Sequence, residues 1–212
     1  IDGFALGPTT TVSVLPGAPS NALSTLTISA NTVIAGQAVT LTATIKDANA
    51  NPISSGILVQ FDKSGGTSFG NYSVVTNQGA GVYTATYTGI TAGTAQTVQA
   101  NVNGSGLGPT QSIQVLVGAP ALANSSLTLS SGTVASGNSV NITAVIRDSQ
   151  NNPITSEYAI TFDTIGGSST GTISAINNGG NGTFTATYSG IVAGSAQTLR
   201  VLSDGSPISG LT

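Results

Sequence analysis

The chain has 212 residues, of which 4 are Lys or Arg and 7 are Asp or Glu, so charged residues make up 5% of it, against about 25% in an ordinary soluble domain. It contains no His, Cys, Met or Trp, which excludes imidazole-based catalysis, thiolate metal sites and disulfides. So few basic residues cannot neutralise a run of phosphates, which excludes nucleic-acid binding. Its apolar runs are shorter than the roughly 18 residues of a membrane-spanning helix.

Alternation of apolar and polar residues predicts β-strands throughout the chain. The first is a short strand at Thr10–Leu15, in which Val12 and Val14 alternate with hydroxyl side chains. Seven more follow in chain order, at 24–29, 37–46, 57–62, 71–76, 82–88, 95–103 and 110–117. Residues typical of turns separate these strands: Asn49–Pro52, Gly65-Gly66, Asn77–Gly79, Gly89, Gly93 and Gly104–Gly108.

The chain repeats itself at an offset of 101 residues. Gly17-Ala18-Pro19 recurs as Gly118-Ala119-Pro120, and matches continue without a gap across most of the unit. This density of matches predicts a tandem duplication, with residues 18–118 as module 1 and residues 119–212 as module 2. Residues 1–17 match the end of a module, and module 2 stops before the counterpart of its last strand.

Seven short strands in about 100 residues predict an immunoglobulin-like β-sandwich for each module. The Cys pair and the Trp of antibody domains are absent, so packed aliphatic and aromatic side chains must hold the core. The linker Val115–Pro120 is short, and Pro120 restricts its backbone. We therefore expect an all-β rod of two tandem modules with an extra N-terminal strand, and no cleft between them.

The segment Val39–Ile53 resembles the second strand and following turn of the bacterial Ig-like domains of invasin and intimin. Module 2 repeats the pattern over Val140–Ile154. The resemblance implies tandem repeats of extracellular bacterial surface proteins, commonly stalk or display segments, with no catalytic residues. One difference from the family is that the Gly of its Asn-Gly-Asn turn is Ala50 in module 1 and Asn151 in module 2.

Aspartates at equivalent positions of the two modules are candidate Ca²⁺ ligands. Ca²⁺ takes about six to eight oxygen ligands, so two carboxylates per module would need help from carbonyl or amide oxygens. The alternative is that an Asp in such a turn accepts hydrogen bonds from backbone N–H groups. We predict no cofactor apart from this possible Ca²⁺, and no catalytic residues. The candidates are Asp47, Asp62, Asp148 and Asp163.

Asn-x-Ser/Thr sequons are candidate glycosylation sites if the source glycosylates its surface proteins. A chain rich in Asn, Ser and Thr supplies several by chance, so the sequons alone decide nothing. The tyrosines are expected in the core and between strands, not as an exposed platform for sugars. The sequons begin at Asn71, Asn103, Asn124, Asn141 and Asn181.

The chain has an extra strand at its N-terminal end and lacks the last strand of module 2, and this difference has two interpretations. One is that the sequence is a segment cut from a longer tandem array. The other is donor-strand complementation, in which residues 10–15 of one subunit (Thr10, Thr11, Val12, Ser13, Val14 and Leu15) fill module 2 of the next subunit. A head-to-tail contact of this kind does not close and generates a filament.

The sequence therefore predicts a non-enzymatic stalk or fibre segment of an extracellular microbial surface protein, such as an adhesin. Its partners are neighbouring Ig-like modules or identical subunits head to tail, without nucleic acid or direct membrane insertion. A host or surface ligand, glycan or protein, is left open. The first alternative is a filament subunit joined by strand exchange. The second is a carbohydrate-binding accessory module of a secreted enzyme.

Overall fold

The computed structural model describes residue 7 and residues 10–211. These residues form β-strands and one short 3-10 helix at Leu122–Asn124, which confirms the all-β prediction. Module 1 contains β1 (Thr25–Ile28), β2 (Thr32–Ile34), β3 (Ala38–Thr44), β4 (Val59–Ser64), β5 (Phe69–Tyr72), β6 (Thr76–Gly79), β7 (Val82–Thr91), β8 (Gln96–Val102) and β9 (Ser105–Leu116). Module 2 contains β10 (Ser126–Leu129), β11 (Ser139–Val145), β12 (Ile160–Ile165), β13 (Thr170–Ile173), β14 (Asn177–Asn178), β15 (Thr183–Val192), β16 (Thr198–Ser203) and β17 (Ser206–Pro207).

Module 1 is built from two sheets. One has the order β1-β3-β7-β5, with β6 also paired to β7, and the other has the order β2-β9-β8-β4. The β2–β9 pair is parallel. Successive residues of a strand point to opposite faces, and in β3 the side chains of Leu41 and Ala43 are fully buried while Thr40 is exposed. The inward residues of both sheets meet in one continuous apolar cluster.

Module 2 repeats the first sheet and only part of the second. The order β10-β11-β15-β13, with β14 on β15, matches that of module 1, whereas the second sheet is β12-β16-β17. β17 corresponds to the first two residues of β9. No strand forms at 133–135, the place that matches β2. The buried residues of module 2 fall into two clusters.

Four details of the predicted strands are wrong. The predicted strand 71–76 is two strands, β5 and β6, because the chain turns outward at Val74, which is exposed. Gly89 does not end a strand but lies inside β7, where a Cβ would come within 2.9 Å of the Val115 Cγ1 atom. The last strand begins at Ser105 because a turn at Asn103-Gly104, both with positive φ, pairs it directly with β8. β2 was not predicted at all.

Among the described residues, no helix is long and apolar enough to span a membrane.

Candidate functional site

The turn after β3 is organised by the carboxylate of Asp47. One carboxylate oxygen accepts hydrogen bonds from the backbone N–H groups of Asn49 and Asn51, both at 2.9 Å. The other accepts from the Asn51 side-chain amide at 2.9 Å and from the Gly17 N–H at 2.8 Å. These donors, led by the Asn51 amide, lower the pKa of Asp47 from 3.8 to about 2, because each hydrogen bond favours the charged carboxylate. The bond to Gly17 ties the incoming chain to the turn.

Module 2 repeats this turn around Asp148, which is fully buried. The carboxylate accepts from the N–H groups of Gln150 and Asn152, from the Asn152 side-chain amide, and from Gly118 at 2.9 Å. Gly118 follows β9 of module 1 almost directly. The Asp148 turn therefore fixes the point at which one module leads into the next.

Asn152 extends the turn into a joint between the modules. Its side-chain oxygen accepts a hydrogen bond from the Ala92 N–H at 2.9 Å, and its side-chain amide donates to the Ile90 carbonyl at 2.8 Å. Asn152 is buried, whereas its counterpart Asn51 is exposed. Within residues 10–211, nothing donates to the Asn51 side-chain oxygen. We call the pair of contacts from Asn152 to module 1 the amide latch.

Residues 113–115 fill a groove between the two sheets of module 1. Ile113 is 0% exposed and Val115 is 1% exposed. The Val115 N–H donates to the Ser68 hydroxyl at 3.0 Å, and the Gly93 N–H donates to the Val115 carbonyl at 3.1 Å. The strand also pairs with β2 on one side and β8 on the other.

The same groove is open in module 2, with a volume of about 280 Å³. Ser206–Pro207 pair with β16 as the first two residues of β9 pair with β8, and a turn at 209–210 then brings the buried Leu211 back to the Ile208 carbonyl. Beyond that point, within the described residues, no strand covers the groove. Its lining includes Leu129, Val134, Val140, Tyr188, Gly190 and Leu199.

Two residues that line the groove have shorter side chains than their counterparts in module 1. In module 1 the Lys63 ammonium lies 3.8 Å from the centre of the Phe69 ring, beside the buried Tyr87. Thr164 and Thr170 stand at these two positions in module 2 and line the groove. Short side chains leave space that the longer pair fills.

The candidate donor segment Thr10–Leu15 pairs with no strand among the described residues, and all six of its residues are exposed. Val12 is 92% exposed and Val14 is 88% exposed. Their counterparts one repeat later are Ile113 and Val115, the side chains that fill the groove of module 1. The role of this segment as a terminal or donor strand stays a prediction.

The structure does not bring the other candidate Ca²⁺ ligands together with Asp47 or Asp148. Asp62 accepts a hydrogen bond from the Asn101 amide at 2.8 Å, and Asp163 forms an ion pair with Arg200 at 2.6 Å. The hydrogen bond from Arg200 lowers the pKa of Asp163. Across residues 10–211, no three Asp or Glu side chains gather into a group that could hold a metal ion. Ca²⁺ binding stays a prediction.

The sequons differ in what their asparagine side chains do. Asn71 and Asn141 are exposed on β5 and β11. The side-chain oxygens of Asn103 and Asn181 accept from the N–H groups of Leu58 and Thr183. Asn124 is half-buried and donates to the Asp148 carbonyl. Asn71 and Asn141 are therefore the sites at which attached glycan would disturb least.

Sequence reasoning missed the amide latch. The sequence offers one signal: Asn51 recurs as Asn152, in a turn whose Asp and Pro have the same spacing in both modules. The local sequence does not distinguish an Asn that binds only within its own turn from one that also binds the preceding module.

Comparison with known proteins agrees with the fold. The family model of invasin domain 3 matches residues 20–118. No curated protein sequence matches the chain. Among solved structures, the chain is similar to the Escherichia coli adhesin FdeC, with 25% identity over 93% of the chain and a TM-score of 0.61. It is also similar to invasin, a bacterial integrin-binding protein, with 28% identity over 92% and a TM-score of 0.62. Yersinia pseudotuberculosis InvD shares 29% identity over 91%, with a TM-score of 0.53.

The chain spans 64% of the FdeC structure, 40% of the invasin structure and 56% of the InvD structure.

Proposed function

We propose that this chain, whose residues 20–118 match the family model of invasin domain 3 and whose fold is similar to that of bacterial adhesins, is a structural stalk segment of an extracellular adhesin. The amide latch is the observation that carries this proposal. The buried side chains of Asn152 and Asp148 bind the end of module 1 through one buried and two half-buried hydrogen bonds. A joint of this kind resists bending, and a stalk must hold its outer end away from the cell surface.

The proposed role needs no ligand pocket in these modules. A binding site for small molecules is usually a concave apolar pocket with a few converging polar groups. The open groove of module 2 is instead the unfilled position of a β-strand, since module 1 fills the same position with Ile113 and Val115.

Small-angle X-ray scattering of the 212-residue chain tests the stalk role. The expected profile fits one fixed arrangement of the two modules, and Asn152→Ala broadens it to a range of arrangements. Asn49→Ala serves as the control, because this side chain lies in the equivalent turn away from the joint. A wild-type profile that already requires many arrangements would contradict the proposal.

A glycan array separates the stalk from the carbohydrate-binding alternative. Specific binding of one glycan class by the intact chain would favour an accessory module of a secreted enzyme. Retention of no glycan is the result expected of a stalk.

A second candidate function is a filament subunit joined by strand exchange. Two observations favour it: the groove of module 2 could accept a β-strand, and the exposed Val12 and Val14 lie on a segment that could supply one.

A further inference from the structure

A shallow cavity lies on the outer face of the first sheet of module 2, on the opposite side of the sheet from the apolar core. Its volume is about 440 Å³, within the range of roughly 300–1,000 Å³ that is typical of small-molecule sites. Residues of β11 and β15 and the segment 174–177 line it. We call it the polar cavity, because six of its lining residues carry hydroxyl or amide groups: Asn141, Thr143, Ser174, Asn177, Thr185 and Thr187.

Most of these polar groups are available to a ligand. The Ser174 hydroxyl accepts a hydrogen bond from the Thr187 N–H and donates to the Ala175 carbonyl. The Thr185 and Thr187 hydroxyls and the Asn177 amide have no hydrogen-bond partner among the described residues. A hydroxyl offers one donor and two acceptor lone pairs, and an amide offers two donors and an acceptor. Since no charged side chain is among the described residues that line the cavity, it suits a neutral group rich in hydroxyls, which is a sugar.

A sequon opens directly on the polar cavity. Asn141 and Thr143 both line it, while Ile142 between them is fully buried in the core, as expected from the alternation of side chains along a strand. The Asn141 backbone N–H donates to the Ser130 hydroxyl at 2.8 Å. The Asn141 side-chain amide, the group that carries an N-linked sugar, is exposed and has no partner among the described residues.

We infer that Asn141 is a glycosylation site and that the polar cavity holds the first sugar of the attached glycan. In the transfer, the Asn141 Nδ2 atom bonds to C1 of the sugar, and the bond from C1 to a phosphate oxygen of a glycosyl pyrophosphate donor breaks. The leaving phosphate takes the electron pair, and a base of the host transferase takes one proton from Nδ2. The inference goes beyond the stalk role and does not rest on it.

The internal repeat supplies a natural comparison. The threonines Thr185 and Thr187 have counterparts in Thr84 and Thr86 of module 1, but three other lining positions differ. Module 2 has an Asn that can accept a sugar, a second Asn beside it, and an Ala where the module 1 residue is a larger Val that is 89% exposed. Each difference favours a sugar on module 2. The pairs are Thr40 and Asn141, Val74 and Ala175, and Thr76 and Asn177.

Site occupancy tests the attachment. The intact chain is secreted from a host with an N-glycosylation pathway, and a sequon in an appended tag reports that the pathway has acted on the chain. Mass spectrometry of peptides should find a glycan on Asn141. Thr143→Ala should remove it while leaving the asparagine in place, and Asn71→Gln should leave it unchanged. A modified tag together with an unmodified Asn141 would overturn the inference.

Contacts of the sugar test the role of the cavity. With the glycan trimmed to its first sugar, nuclear Overhauser effects should connect the sugar protons with the methyl groups of Thr185 and Thr187. Thr40→Asn is the matched control, because it places the same sequon on module 1, whose lining keeps Val74. Its sugar should show no such contacts with Thr84. Absence of contacts at Asn141, or equal contacts in the control, would overturn the cavity as the place of the sugar.

A second variant changes the cavity and keeps the sequon. Ala175→Val with Asn177→Thr gives module 2 the residues that module 1 carries at these positions, so the sheet should still form. The glycan should remain on Asn141, while its contacts with Thr185 and Thr187 are lost. Contacts that persist in this variant would show that the lining residues do not hold the sugar.

Free sugar separates attachment from ordinary binding. A tethered group has an effective concentration of roughly millimolar or more, so the attached sugar needs little intrinsic affinity for the cavity. N-Acetylglucosamine added at micromolar concentration to the unmodified chain should leave the Thr185 and Thr187 resonances unchanged. Saturable shifts of these resonances would assign the cavity to a diffusible ligand and overturn the attached glycan as its occupant.

Discussion

Modules 1 and 2 share the same first sheet and the same turn around a buried aspartate, yet they close their cores differently. In module 1, β9 runs the length of the sandwich, and its inward side chains join both sheets into one apolar cluster. Among the described residues of module 2, the corresponding strand is represented by Ser206–Pro207 alone, and the buried apolar residues fall into two clusters. Tyr87 is fully buried, while its counterpart Tyr188 is half-buried. The alternating strands are therefore enough to form the sheets of both modules. In module 1 it is β9 that makes the apolar core continuous.

The largest expected effect comes from making module 1 resemble module 2. Ile113→Ala should destabilise module 1 by about 2–5 kcal/mol, since it removes a fully buried side chain and leaves a cavity. Amide hydrogen exchange resolved by peptide measures it, because protection in β3 and β11 reports the two modules separately. Val12→Ala, at the equivalent position in the exposed segment, should change neither when the chain is monomeric. Equal loss of protection in both modules would contradict the view that they close independently.

A smaller effect is expected when the joint is cut. Asn152→Ala should cost about 2 kcal/mol, because the buried Asn152 side chain loses its bonds to the half-buried Ala92 N–H and Ile90 carbonyl as well as its bond to Asp148. Asn51→Ala should cost about 1 kcal/mol or less, since its side chain is exposed and only its bond to Asp47 is lost. Thermal unfolding of the two variants checks the order. A larger loss of stability for Asn51→Ala would show that these asparagines act mainly by stabilising their own turns and not by joining the modules.

Acid should weaken the turn of module 1 through Asp47. Its pKa is lower in the folded chain than its ordinary value of 3.8, at about 2. Its contribution to stability is therefore present above pH 4 and is lost as the pH falls toward 2. Melting temperatures of the wild type and Asp47→Asn, measured from pH 6 to pH 2, should converge at the acid end. Parallel curves over this range would mean that the carboxylate charge is not what holds the turn.

The smallest effect concerns backbone strain in the two turns. Ala50 has a φ of 64° and Asn151 a φ of 67°, a left-handed conformation that is costly for Ala and tolerated by Asn. Ala50→Gly should stabilise module 1 by about 0.5–1 kcal/mol, and Asn151→Gly should change module 2 less. Urea unfolding of both variants measures the difference. Destabilisation by Ala50→Gly would indicate that the flexibility of Gly in the unfolded chain outweighs the relief of strain.

The sequence predicted those parts of the fold that depend on local alternation. Val39–Ile45 and its repeat in module 2 show period 2, and both form inward-facing strands. The inclusion of Gly89 within a strand depends on the distant Val33 and Val115, which no local pattern reveals. β2 is only three residues long and exists through its pairing with β9.

Only part of the candidate site could be predicted from the sequence. The repeat predicted the N-terminal segment and the incomplete last strand of module 2, because both follow from counting strands. It did not reveal the amide latch, since the turn places Asn51 and Asn152 alike and only the neighbouring module makes one of them buried.

The parallel pairing of β2 with β9 has a mechanical consequence. Tension along the array pulls the N-terminal end of β2 and the C-terminal end of β9 in opposite directions, so it shears this pair and loads its hydrogen bonds together instead of opening them one at a time. Single-molecule pulling should therefore show a force peak for module 1 that depends on this pair.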